Sequence, residues 1–123
     1  MSHVRQVSAS DFTDLTHNGS QAVLVDFYAD WCAPCRAMAS VVERLAREQG
    51  GRLTVAKLDV DRDRQIAVRH GVRSIPTLLF FVRGEELDRL VGFPGPGEVR
   101  RWAAALLDLA ADGKEPSRRP QSA

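Results

Sequence analysis

Cys32 and Cys35 are the only two cysteines in 123 residues, and they stand two residues apart in the stretch VDFYADWCAPCRAM, 25–38. Thiols at that spacing have three uses: a redox couple, half of a metal site, or packing. Exchange chemistry needs a thiolate that attacks a partner disulfide and a second thiol that reaches the mixed disulfide before the partner leaves by another route. CxxC at a helix start meets both needs. Cys32 would lie at the exposed amino-terminal end, where free backbone N–H groups and the helix dipole favour an anion. Cys35 follows three positions later on the same helical face, close enough to bridge but further inside the turn. Cys32 is therefore assigned attack and Cys35 resolution. As a structural staple the pair would enclose too few residues to constrain the unfolded chain much. Structural zinc would need four convergent ligands, and His3, His17 and His70 show no local arrangement of that kind, so no metal is expected.

The neighbours of the pair can shape such a site. Trp31 offers a broad apolar surface that either supports the site or simply packs, partly buried. Pro34 fits the first helical turn, where its missing N–H matters little, and stiffens the bridge. Ala33 acts only through the size and flexibility of the spacer. In AVLVDFYA (22–29), strand alternation sends Leu24, Asp26 and Tyr28 to one sheet face and Val23, Val25 and Phe27 to the other. A buried Asp26 would hold its proton to higher pH and could pass it to and from Cys35 through water. The alternative is an acid hydrogen-bonded to backbone at a strand edge. Lys57, within LTVAKLDV, is either the charge partner of Asp26 on an adjacent strand or a side chain whose stem runs out to solvent. In SIPT (74–77), a proline entering a buried strand cannot donate a ladder hydrogen bond. A cis bond there would fix a tight bend and leave Ile75 backbone groups free beside the cysteines; a trans proline at a strand start is the plainer reading.

These residues need a scaffold. The near-continuous apolar run 22–29 reads as a central strand covered on both faces. Met38, Val41, Val42 and Leu45 recur at helical steps, predicting a helix from near Cys32 to the QGG at 49–51, where Gly50 and Gly51 can supply the freedom a helix exit needs. A second strand spans 53–60, then a short helix ends near Gly71. TLLFFV (77–82) is a third buried strand, and RGEE (83–86) turns the chain into a strand around 87–91. The last helix starts near Gly97-Glu98 with Val99, Trp102, Leu106 and Leu109 along one stripe. Near the amino terminus, a helix at about 11–18 capped by Ser10 or Asp11 follows an edge strand. An α/β fold results, with helices on both faces of the sheet, the 22–29 and 53–60 strands parallel through a right-handed crossover and the final pair antiparallel.

Length, composition and charge limit the alternatives. One domain over 1–111 is expected, followed by a disordered basic tail at 112–123 that contains no aliphatic residue larger than alanine. The net charge is +1, and the tail holds Lys114, Arg118 and Arg119 against Asp112 and Glu115, so the rest of the chain is balanced. Nucleic-acid binding gets no electrostatic support from that balance. No apolar stretch approaches the roughly 20 residues that span a bilayer, and residues 1–10 lack the apolar segment of a secretory signal, so no membrane role and a cytoplasmic location are expected.

VDFYADWCAPC, followed in order by KLDVD, GVRSIPTLLFF and VG, resembles the thioredoxin family over essentially residues 3–110. Several separated features match, which is more specific than CxxC alone. The resemblance implies a three-layer α/β/α fold with a central mixed sheet of about five strands and four flanking helices. It also implies a dithiol that reduces protein disulfides and is restored by thioredoxin reductase, with electrons ultimately from NADPH and no cofactor bound to this chain. Trp31, Cys32, Pro34 and Cys35 match the family's WCxPC site, Asp26 its buried acid, Lys57 the nearby lysine, Ile75-Pro76 its cis-proline element, and Gly92 a glycine beside the substrate groove. Departures are Ala33 where glycine is usual, Ser40 where a kinking proline is common, Tyr28 for a frequent tryptophan, and the loop FPGPG (93–97). With Ser40 a straighter helix, or a bend from another cause, is expected.

The expected function is reduction of protein disulfides by a monomer whose partners are thioredoxin reductase and disulfide-containing proteins. An extracytoplasmic thiol oxidase or disulfide isomerase is the first alternative, because one dithiol runs either way according to relative potentials. A non-enzymatic binding module using the same groove is the second. It would keep binding with both cysteines changed to serine.

Overall fold

The computed structural model describes residues 2–17 and 21–111. Its elements are β1 (Arg5–Gln6), α1 (Ala9–His17), β2 (Ala22–Tyr28), α2 (Ala33–Glu48), β3 (Leu53–Asp59), α3 (Arg64–Arg69), β4 (Thr77–Val82), β5 (Glu85–Val91) and α4 (Pro96–Ala111). The tail expected to be disordered, 112–123, lies outside the described residues. A five-stranded mixed sheet runs in the order β1-β3-β2-β4-β5. β1 and β2 pair in parallel with β3, while β4 pairs antiparallel with both β2 and β5. Central position explains the near-continuous apolarity of β2, broken only by Asp26, since its two faces are both covered.

Strand alternation sorts the core into two layers. Leu24, Val55, Leu78 and Phe80 meet Met38, Val42 and Leu45 of α2 and Val99, Ala103 and Leu106 of α4. On the other face Val23, Val25, Phe27, Leu58, Leu79 and Phe81 meet Phe12 of α1 and Ile66 of α3. Each face is thus buried by a pair of helices, giving three layers. Among the described residues no helix is long and apolar enough to cross a membrane.

Several boundaries depart from expectation. α1 starts earlier, after Ser8 rather than after Ser10 or Asp11: the Asp11 carboxylate reaches back to accept from Ser8 Oγ at 3.1 Å and from the Ser8 N–H at 3.4 Å. That is the side-chain-to-backbone half of a capping box, with aspartate in the glutamate role, while the Asp11 N–H donates to Ser8 O at 3.1 Å. α2 leaves through Gln49, with φ −114°, and neither Gly50 nor Gly51 takes a positive φ. The Gln49 N–H instead donates to Leu45 O at 2.8 Å. The helix runs through Ser40 without interruption. In α4 the buried stripe is Val99, Ala103, Leu106 and Leu107, while Leu109 is 37% exposed. Steps of four and three from Val99 through Ala103 turn the covered face away from Leu109.

The β4–β5 hairpin turns on Arg83 (φ 53°) and Gly84 (φ 84°), two left-handed residues in a row, whose twist matches the flanking strands. Its ladder holds one irregularity, between Phe80 and Phe81: Phe80 faces Asp88 but Phe81 faces Glu86, so Leu87 is an extra residue.

Candidate active site

Cys32 is the N-cap of α2, with extended backbone (φ −93°, ψ 110°), and the Cys35 N–H donates to its Sγ at 3.2 Å. Pro34 occupies the first turn, as its fixed φ and missing donor suit. The two cysteines are joined as a disulfide, with Cα atoms 5.2 Å apart. Cys32 is only 4% exposed, against the open position expected for it, because Ile75, Val60 and Ala29 pack around the pair. Ala33 and Pro34 are the exposed part of the bridge. The bridge across the first turn of α2 is readable from spacing; the covering by Val60 and Ile75 comes from loops distant in sequence.

Behind the pair, β2 carries Asp26 directly opposite Lys57 on β3 and Leu78 on β4. Asp26 is 2% exposed, in the middle of the sheet rather than at an edge, and its Oδ1 has no hydrogen-bond partner among the described residues. Burial pushes its pKa up to about 7, and the Lys57 ammonium pulls against that rise. A cleft of about 210 Å3 joins these groups, lined by Asp26, Lys57, Cys35, Tyr28, Arg36 and Ala39 among others. Its walls are mainly apolar, with Asp26, Lys57 and Arg36 among the groups that could hold a water, and it is large enough for one. Lys57 faces Asp26 across the ladder, and its Nζ sits 5.5 Å from the centroid of the Tyr28 ring. The Tyr28 hydroxyl in turn donates to Gln6 Oε1 at 3.1 Å on β1.

On the outer side, the Ile75-Pro76 bond is cis. Pro76 O accepts from the Gly92 N–H at 2.8 Å, whereas Ile75 N–H and C=O make no backbone hydrogen bond among the described residues. Gly92 has φ 85° and open space where a Cβ would stand. Trp31 is 68% exposed and held by its Nε1–H, which donates to Asp61 Oδ2 at 2.8 Å. Val91, 59% exposed, adds apolar surface next to Gly92. Every expected site residue therefore lies at one end of the sheet, around the start of α2.

Sequence reasoning missed Asp61 as the anchor of Trp31, Arg36, which donates to Asp30 O at 2.9 Å, and Ala39 as a cleft wall. Ala39 had a signal: it is four residues after Cys35, hence one turn along the same face, and small enough to leave space. Asp61 had none beyond its place at the β3–α3 corner. Among the described residues no three potential metal ligands cluster.

The arrangement agrees with three comparisons. The family model described as "Thioredoxin" matches residues 3–104. Thioredoxin 1 of Nostoc sp. is 42% identical over 92 residues, 75% of this chain and 86% of that one. A bifunctional thioredoxin reductase/thioredoxin of Mycobacterium leprae is 43% identical over 107 residues, 87% of this chain and 22% of that protein. Among solved structures, Malassezia sympodialis thioredoxin (Mala s 13) superposes with a TM-score of 0.78 at 31% identity, covering 87% of this chain and 93% of that one.

Proposed function

The chain belongs to the thioredoxin family, and its Cys32–Cys35 pair carries thioredoxin-type dithiol–disulfide exchange; from that premise we propose that it works as a reductant of protein disulfides. The observation that carries the mechanism is that the resolving Cys35 and the buried Asp26 line one cleft. In the reduced protein the Cys32 thiolate, favoured by the Cys35 N–H and the start of α2, attacks one sulfur of the substrate disulfide. The substrate S–S bond breaks, a mixed disulfide forms, and the first substrate sulfur leaves as a thiolate that takes a proton from water. Asp26 then takes the Cys35 proton through water, and the Cys35 thiolate attacks Cys32 Sγ. The second substrate thiol departs, two electrons have moved to the substrate, and Cys32–Cys35 is left oxidised. A carboxyl poised at about 7 is suited to that transfer at neutral pH.

Substrate docking uses the free Ile75 N–H and C=O, which can pair with an extended segment as one added strand. The open Gly92 lets that segment approach, and Trp31 and Val91 offer apolar contact. Ala33 and Pro34 set the stiffness of the bridge. Family membership supports recycling by a thioredoxin reductase, with NADPH as the ultimate electron source. The Mycobacterium leprae relative, named for both activities, supports the same pairing. We place the chain in the cytoplasm as a monomer with its domain over 1–111, a reading supported by the reducing chemistry proposed for it.

The reduction potential of the Cys32/Cys35 couple tests this. Equilibration in defined thiol–disulfide buffers, with mass detection of the reduced fraction, should give a strongly reducing value. An oxidising value would move the protein to disulfide formation or isomerisation, and no reversible couple would leave the binding-module reading.

A further inference from the structure

Ile75 can receive a substrate only if the segment 70–76 holds still, and two residues far along the chain hold it. The ladder irregularity in β5 places Glu86 opposite Phe81 and Arg89 opposite Leu79. Phe81 and Leu79 belong to the same core layer, beside α1 and α3. Residues three apart in a regular strand face opposite ways; the extra Leu87 brings Glu86 and Arg89 onto one face. There Arg89 donates to the Glu86 carboxylate twice, from Nε at 2.6 Å and from Nη2 at 2.8 Å. The guanidinium reaches on to His70 O, 2.7 Å from Nη2, and Gly71 O, 3.4 Å from Nη1.

Those two carbonyls lie where α3 ends. Gly71, at φ 68°, donates to Val68 O, and Val72 donates to Ala67 O, the double closure of a Schellman turn. The turn leaves the carbonyls of His70 and Gly71 pointing out of the helix, and a planar five-donor cation fits them while gripping a carboxylate. Beyond it Thr77 Oγ1 donates to Ser74 O at 2.7 Å and Gly92 N–H to Pro76 O, so 70–76 is tied at its start by Arg89 and at its end by the sheet. We infer that the Glu86–Arg89 pair is a positioning element for substrate recognition: by fixing His70 and Gly71 it presents the free backbone groups of Ile75 to protein disulfides. This rests on the reading that protein disulfides are the substrates. Arg89 touches neither thiol, so the chemical step does not pass through it.

Arg89→Ala and Arg89→Lys are the variants, assayed on insulin with dithiothreitol regenerating the dithiol, and in single turnover on the small disulfide dithiobisnitrobenzoate. For Arg89→Ala the KM for insulin should rise roughly three- to tenfold, the loss expected for charge-assisted hydrogen bonds that are partly exposed. Its kcat, its rate with the small disulfide and its Cys32/Cys35 potential should stay within about twofold of wild type. Arg89→Lys keeps a charge but not the fork and should fall between. Adding Glu86→Ala to Arg89→Ala should change KM little further, because the two act as one unit. An unchanged KM in both variants, with wild type active on insulin, would overturn this inference alone, as would an equal loss on the small disulfide. Wild-type protein inactive on insulin would overturn the protein-substrate reading as well.

Discussion

Asp26 and Glu43 are two carboxyls pushed in opposite directions by the same protein. Asp26, under the start of α2, is driven up to about 7 by burial, with one oxygen unpartnered. Glu43, on the outer side of α2, is drawn down to about 2, chiefly because the His3 N–H donates to it at 2.6 Å, with Ser2 Oγ adding a second bond at 2.7 Å. The strap at residues 2–4 satisfies Glu43 and holds the chain entry onto the helix. Among the described residues nothing satisfies Asp26 Oδ1. A group whose hydrogen bonds are complete is locked in one charge state, and a group deprived of them is left able to change it. The difference separates an anchor from a proton carrier.

Asp26→Asn tests the carrier side and should have the largest effect. Insulin reduction at pH 7 should fall roughly a hundredfold, and the inflection near pH 7 should vanish from the pH–rate profile. A loss under about threefold would reduce Asp26 to a structural acid.

The same substitution should act on stability in the opposite sense. Because the folded pKa of Asp26 lies above the ordinary 3.8 of an aspartate, the native state holds a proton that the unfolded state releases between about 4 and 7. Wild-type stability is therefore full below that window, declines as pH rises through it, and levels off above. Urea unfolding at pH 8 should find Asp26→Asn more stable than wild type by a few kcal/mol, on the order of three pKa units at about 1.4 kcal/mol each. Equal stabilities would mean that Asp26 is not desolvated in solution.

Lys57→Met sharpens the comparison by removing the one attraction that opposes burial at Asp26. The inflection in the pH–rate profile should move upward, and insulin reduction at pH 7 should drop by roughly three- to tenfold. A downward move would contradict the pairing across β2 and β3.

Smallest of all, Glu43→Gln should lower the melting temperature at pH 7 by at most about a degree or two, since the strap is partly exposed and screened. That difference should shrink as pH falls through about 2, below which wild-type Glu43 is protonated in both states, and the pH–rate profile should not change. An altered profile would mean that the strap reaches the active site.

Much of this was legible in the residues. The α2 face was, because Met38, Val41, Val42 and Leu45 repeat at its own period, and so was the pairing of Cys32 with Cys35 across one turn. Alternation in β2 put Leu24, Asp26 and Tyr28 on one face, and the connections gave the parallel pairing of β2 with β3 and the antiparallel pairing of β4 with β5; the order of the strands was not read. The α1 start was missed because several neighbouring residues can cap, and which one does depends on where Asp11 reaches back. Leu109 was misread because the covered face of α4 is chosen by what packs on it, not by apolarity alone.

By itself the sequence determined whatever depends on neighbours within a turn or along one strand: the CxxC bridge, the apolar faces, the proline at the mouth of β4. Tertiary structure alone decided that Cys32 is covered, that Asp26 shares a cleft with Cys35, that Ile75 is left with free backbone groups, and that Arg89 grips the end of α3. Those facts join residues on different elements of the fold, and their geometry turns on strand register and a single extra residue at Leu87. A one-residue slip of register sends a side chain to the other face of the sheet, which is why local pattern cannot carry them.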